Sequence, residues 1–90
     1  MNEFQWDDSK RQSNLELHGF DFADVYLFEW DEADISPTYP SRTGRSRLQA
    51  TGLLFNDLVT IVFSPLGTGA YSIVSMRRAS RKERRRYEQH

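Results

Sequence analysis

Two kinds of hydrophobic pattern divide the chain. The first thirty residues carry sparse apolar positions at turn-like spacing, whereas residues 47–77 carry dense, strand-like runs. Phe4-Gln5-Trp6 alternates and predicts a short strand with Trp6 facing the core. Asp7 or Asp8 can cap a helix running to about His18, and Gly19 stands where a left-handed residue ends it. That helix has only Leu15 and Leu17 as aliphatics, which predicts a mostly exposed helix with a narrow contact stripe. Asp21 can cap a second helix, Phe22 to about Glu29, with Phe22, Val25 and Tyr26 on its apolar face. Residues 31–46, rich in Pro, Ser, Thr and Gly, read as one long loop. Arg47–Phe55 and Leu58–Ser64 read as strands joined by a tight turn at Asn56-Asp57. Pro65–Gly69 forms the next turn and Tyr71–Arg77 the last strand, with Phe63 in the core. Ser80-x-x-Glu83 is a capping box opening a final helix to about Glu88. The result is one α+β domain, residues 1–90, of order β-α-α-β-β-β-α. Helices are expected on one side of an antiparallel sheet.

Charge changes this picture. Residues 1–40 hold ten acids and two bases, a net −8; residues 41–90 hold ten bases and three acids, a net +7. Either the halves neutralise each other inside the fold, or the basic half stays free to meet a polyanion. Nine of its ten bases are Arg, whose planar fork matches phosphate oxygens. The last helix has almost no apolar face, so core burial cannot hold it. It is either mobile or docked through charge.

Candidate chemistry is narrow. Cysteine is absent, which excludes disulfides and thiolate metal sites and suits a reducing compartment. His18 and His90 are far apart, and no HExxH or EF-hand loop is present. No cofactor and no metal are expected. No segment is long and apolar enough for a membrane helix, and the opening Met1-Asn2-Glu3-Phe4 does not read as a signal peptide. Lys10, His18, Arg47, Arg77 and Tyr87 are the residue types needed to cleave RNA through its own 2′-hydroxyl: a base, an acid and positive charge on the phosphate. Each also has an ordinary role open to it. Lys10 can be plain surface, His18 a helix C-cap, and Arg47 and Arg77 partners for the acidic half. Asn14 reads as structural, and Arg81–Arg86 can be a solvated face.

The order of these residues resembles the BrnT family of bacterial toxins. That family's opening pattern is matched by Trp6, Asp7, Lys10, Asn14, His18 and Gly19, with Leu17 where a Lys is usual. Arg47 and Gly52 match its middle strand. Val74-Ser75-Met76-Arg77, Ala79 and the run Arg81 to Tyr87 match its last strand and basic helix. The resemblance implies a RelE-like fold and a metal-free endoribonuclease that inhibits translation and growth in the cytoplasm. It also implies inhibition by a cognate BrnA-like antitoxin with a ribbon-helix-helix DNA-binding domain. In this reading Arg47 and Arg77 hold the phosphate, while Lys10, His18 and Tyr87 share the acid, base and charge-stabilising roles. Arg78, Arg81, Lys82, Arg84 and Arg85 bind RNA. The rival reading is a non-catalytic RNA-binding or protein-interaction module, suggested by Leu17 and the unmatched 31–45 segment.

Overall fold

A computed structural model describes residues 3–90; the expectations for Met1 and Asn2 fall outside it. Strands β1 (Glu3–Gln5), β2 (Asp34–Thr38), β3 (Arg47–Leu54), β4 (Asp57–Gly67) and β5 (Ala70–Arg78) form one sheet in the order β1-β5-β4-β3-β2. Helices α1 (Asp8–His18) and α2 (Arg81–Gln89) are accompanied by two 3-10 helices, Phe22–Leu27 and Trp30–Glu32. The fold is therefore mixed α+β.

The sheet departs from expectation in three respects. It is mixed, because β1 runs parallel to β5 while all other neighbours are antiparallel. It has a fifth strand, β2, inside the segment expected to be loop. Pro37 cannot donate to a ladder, and that disguises the strand, but β2 is an edge and Pro is tolerated there. The tight turn is Phe55-Asn56, one residue early, with Phe55 left-handed at φ 56°.

The second predicted helix is 3-10 rather than α. Its buried residues, Phe22, Val25 and Phe28, recur every third position, which is the 3-10 repeat. Tyr26, placed on the apolar face by an α period, is exposed. Phe22, Val25 and Phe28 pack on one face of the sheet against Ala50, Leu54, Val59, Ile61, Phe63, Ile73 and Met76. Ile73 and Met76 are an odd number of residues apart and would face opposite ways in a regular strand. A bulge between Val62 and Phe63, opposite Val74, brings both inward. Gly52 is also dictated by packing. A Cβ there would stand 2.9 Å from the Phe28 ring and 3.2 Å from Ala33, so only Gly lets Phe28 lie on β3.

Helix α1 begins at Asp7, which accepts from the amides of Ser9 and Lys10, and ends at left-handed Gly19. Its attachment is not an apolar stripe, since Leu15 and Leu17 are exposed. Buried Asn14 makes it instead. Asn14 Oδ1 accepts from Met76 N at 3.1 Å, and Nδ2 donates to Met76 O at 2.8 Å and Phe20 O at 3.0 Å. β1 pairs with β5 only over residues 70–72. Asn14 supplies the amide that a longer strand would have presented to Met76.

Helix α2 lies on the sheet face opposite the 3-10 helices, so the helices are not all on one side. Strand alternation sets this: α2 bonds to Gln49, Thr60 and Arg77, which project away from the core. The helix is docked by polar contacts. Arg86 pairs with Asp34 at 3.4 Å, and the His90 ring faces the carbonyls of Tyr87 and Glu32, which together push its pKa up.

Candidate active site

The face beneath α2 carries most of the predicted chemistry. Cross-strand pairing lines up Thr51, Thr60 and Arg77 in one row and Gln49, Val62 and Ser75 in the next. Arg47 projects from β3 two residues beyond Gln49, on the same face by alternation. α2 crosses along the first row, from Arg77 toward Asp34 on β2. The second row is left as a floor open to one side of the helix.

The first row is tied to α2 through Glu83. Arg77 Nη1 donates to Oε1 at 2.7 Å, and Nη2 to Oε2 at 2.8 Å. Thr60 Oγ1 donates to Oε1 at 2.9 Å, Gln49 Nε2 to Oε2 at 3.2 Å, and the Ser80 amide to Oε1 at 2.8 Å. Thr51 Oγ1 lies 2.8 Å from Thr60 Oγ1, which joins β3 to the network. The Arg77 guanidinium, above all, lowers the Glu83 carboxyl to about 2. The sign of the linkage follows. A carboxyl ionised more readily in the fold adds stability above its unfolded pKa near 4.5, and that stability is lost as pH falls toward 2. With solvent screening allowed for, about 1–2 kcal/mol is expected to disappear between those values. Denaturant titrations of the parent and Glu83→Gln should converge as pH falls. Parallel curves down to pH 2 would contradict the linkage.

Arg47 differs from Arg77. Its Nε is buried without a hydrogen-bond partner, and among the described residues no carboxylate pairs with it. A buried guanidinium donor without an acceptor is costly in a protein interior and is suited to an arriving anion.

Lys10 and His18 stand about two helical turns apart on α1, alongside β5. They line one shallow cleft with Ser13, Asn14, Leu17, Val74 and Ser75. Ser75 belongs to the open floor, so this cleft adjoins the strip that leads to Arg47. Leu17, where a cation is usual in the family, lines the same cleft and is 77% exposed.

Tyr87 sits on the inward face of α2, four residues after Glu83, half-buried and 5.1 Å from the His90 ring. It stands toward the end of α2 where Arg86 pairs with Asp34 of β2, whereas the Lys10–His18 cleft adjoins β5. Arg81, Lys82, Arg84 and Arg85 are exposed on the outward side of α2.

Arg78 does not join them. Adjacent strand residues face opposite ways, and Arg78 bonds Asp57 at 3.1 Å with its guanidinium over Phe20. It therefore projects from the sheet face opposite α2, with its side chain 63% exposed.

The acidic and basic halves do not neutralise each other. Among the described residues, only Arg86–Asp34 links residues 1–40 to the rest; the other three ion pairs stay within one half. No group of three or more His, Cys, Asp or Glu suited to a metal ion is found among the described residues.

Glu83, Thr60 and Gln49 are not among the site residues that the sequence suggests. The capping box identifies Glu83 only as a helix cap, and nothing local shows that its carboxylate also reaches three strands.

The family model for the BrnT ribonuclease toxin of type II toxin–antitoxin systems matches residues 6–83. The crystal structure of the Brucella abortus ribonuclease toxin BrnT superposes with a TM-score of 0.73 at 34% identity, covering 90% of this chain and 100% of that one. Comparison with curated proteins gives no match. The family match covers most of the chain, and the solved relative repeats its fold over its whole length. The chain belongs to the BrnT family, the ribonuclease toxins of type II toxin–antitoxin systems, whose substrate is RNA and whose partner is an antitoxin.

Proposed function

We propose that this toxin cleaves RNA without a metal, along the open floor between α2 and the Lys10–His18 cleft. The carrying observation is Arg47, whose buried Nε has no hydrogen-bond partner among the described residues, on the same sheet face as that floor. The scissile phosphate binds Arg47 and the donors of Arg77 not engaged by Glu83. His18 takes the proton of the 2′-hydroxyl, and the 2′-oxygen bonds to phosphorus. The bond from phosphorus to the 5′-oxygen breaks, leaving a cyclic phosphate; water supplies the proton that makes the leaving oxygen a 5′-hydroxyl, and His18 returns its own proton to solvent. Lys10, about two helical turns from His18 along α1 and on the same cleft, offsets charge developing on the phosphate. Tyr87, near the β2 end of α2, has less direct access to the leaving oxygen. The outward cations Arg81, Lys82, Arg84 and Arg85 attract the flanking phosphates.

In this reading the domain is RelE-like and acts in the cytoplasm on RNA needed for translation. A ribbon-helix-helix antitoxin of the BrnA kind holds it inactive. No described helix is long and apolar enough to cross a membrane.

The test is cleavage of a mixed-sequence single-stranded RNA by purified protein in excess EDTA. Cleavage should continue at the metal-replete rate, because no ligand set of three or four suitable groups is assembled among the described residues. Activity lost to the chelator and restored by one divalent ion would overturn the mechanism.

A further inference from the structure

Glu83 accepts five hydrogen bonds, from Arg77 twice, Thr60, Gln49 and the Ser80 amide. A helix cap needs only one of these. Capping boxes accept Glu or Gln equally at this position, because either offers an oxygen to the N-cap amide. The remaining four bonds come from side chains on β3, β4 and β5. They require both carboxylate oxygens and, against the Arg77 fork, a negative charge. The pair is well shielded: the Glu83 side chain is 13% exposed and Arg77 33%.

Arg77 is thus fixed at both Nη atoms on the α2 side. Nη1 also reaches the Arg78 carbonyl at 3.5 Å, and Nε and the second Nη2 N–H remain for the phosphate. Without Glu83 the guanidinium would be free to swing on its long stem, and α2 would lose its attachment to the sheet beside the open floor.

The geometry points to Glu83 as the positioning residue of RNA cleavage: it acts through Arg77 and serves the helix cap only secondarily. This inference rests on the ribonuclease mechanism proposed above.

The test compares the parent with Glu83→Gln, Arg77→Ala, the double variant, and Ser80→Ala. Glu83→Gln keeps the cap but sets an amide N–H₂ against an Arg77 donor. It should lower kcat for a mixed-sequence RNA by about tenfold or more, with KM changed much less. The double variant should be no slower than Arg77→Ala alone, because Glu83 acts through that residue. Ser80→Ala should lose stability and keep its kcat. All assays run well below each variant's melting temperature. If Glu83→Gln does not fold, Thr60→Val removes one bond to the same carboxylate. It should lower kcat several-fold, again without effect on top of Arg77→Ala.

Nuclear magnetic resonance of the arginine guanidinium groups gives a readout apart from activity. The Arg77 Nη signals should be distinct in the parent, reporting hindered rotation, and averaged in Glu83→Gln. Unchanged kcat, losses that multiply with Arg77→Ala, faster cleavage by Glu83→Gln, or a freely rotating Arg77 in the parent would each overturn the inference. A parent in which Arg77 is held but RNA is not cut overturns the cleavage mechanism, and the role of Glu83 in cleavage with it.

Discussion

Replacing Arg47 with alanine should lower RNA cleavage by about 10²–10³-fold while leaving the fold nearly as stable as before. Removing one preorganised donor to a developing oxyanion typically costs about 2.7–4 kcal/mol of transition-state stabilisation. Arg47 is well placed for such a loss, since its buried Nε has no protein acceptor. Its removal breaks no ion pair among the described residues. Only the packing of its alkyl stem is lost, and a stability change within about 1 kcal/mol is expected. Arg77→Ala is a less clean probe, because it strips a shielded Glu83 of its charge partner and weakens the docking of α2. Arg47→Lys should recover only part of the activity, as the charge returns without the planar fork. Cleavage rates and denaturant unfolding on the same preparations decide the matter. A folded Arg47→Ala protein that cuts RNA at the parental rate, or stays fully toxic to a bacterial host, would remove Arg47 from the site.

Replacing Asn14 with leucine should destabilise the protein by roughly 2–4 kcal/mol. The size is similar but the side chain is apolar, so the Met76 amide and carbonyl and the Phe20 carbonyl lose their partner together. Buried groups left unsatisfied cost about 1–3 kcal/mol each, and partial entry of water offsets some of the sum. For a domain of this size each kcal/mol lowers Tm by roughly 4–8 °C, so a fall of more than about 10 °C is expected. Cleavage should drop as well, even at temperatures where the variant is folded. Asn14 is the buried residue of α1, and Lys10 and His18 ride on that helix. Thermal melts should show the loss at once. A melting temperature within about 2 °C of the parent would mean that Leu15, Leu17 and the ion pair of Arg11 Nε with Asp21 Oδ1, 2.6 Å apart, hold α1 unaided.

Local signals make much of this protein legible from its residues alone. The caps at Asp7, Gly19, Asp21 and Ser80 are satisfied within a few residues, so their positions follow from residue type and spacing. The three long strands follow from apolar runs bounded by turn residues. The order of Trp6, Lys10, Asn14, His18, Arg47 and Arg77 is enough to point to the family.

Strand β2 is hidden in the sequence because Pro37 and its polar neighbours have no strand signature. Its pairing energy comes from β3, across an intervening loop. The 3-10 spacing of Phe22, Val25 and Phe28 is visible but too short to separate from an α period. The side on which α2 lies depends on which residues of β3, β4 and β5 face outward, and the Val74 bulge shifts that phase. Charge counting cannot tell whether the two halves cancel, because ion pairing depends on distance, and among the described residues only Arg86 reaches across. The difference between Arg47 and Arg77 is of the same kind. Both are strand arginines in the sequence, but Glu83 engages Arg77 and not Arg47, because α2 crosses the sheet over the row of Arg77 and Arg47 stands two rows away.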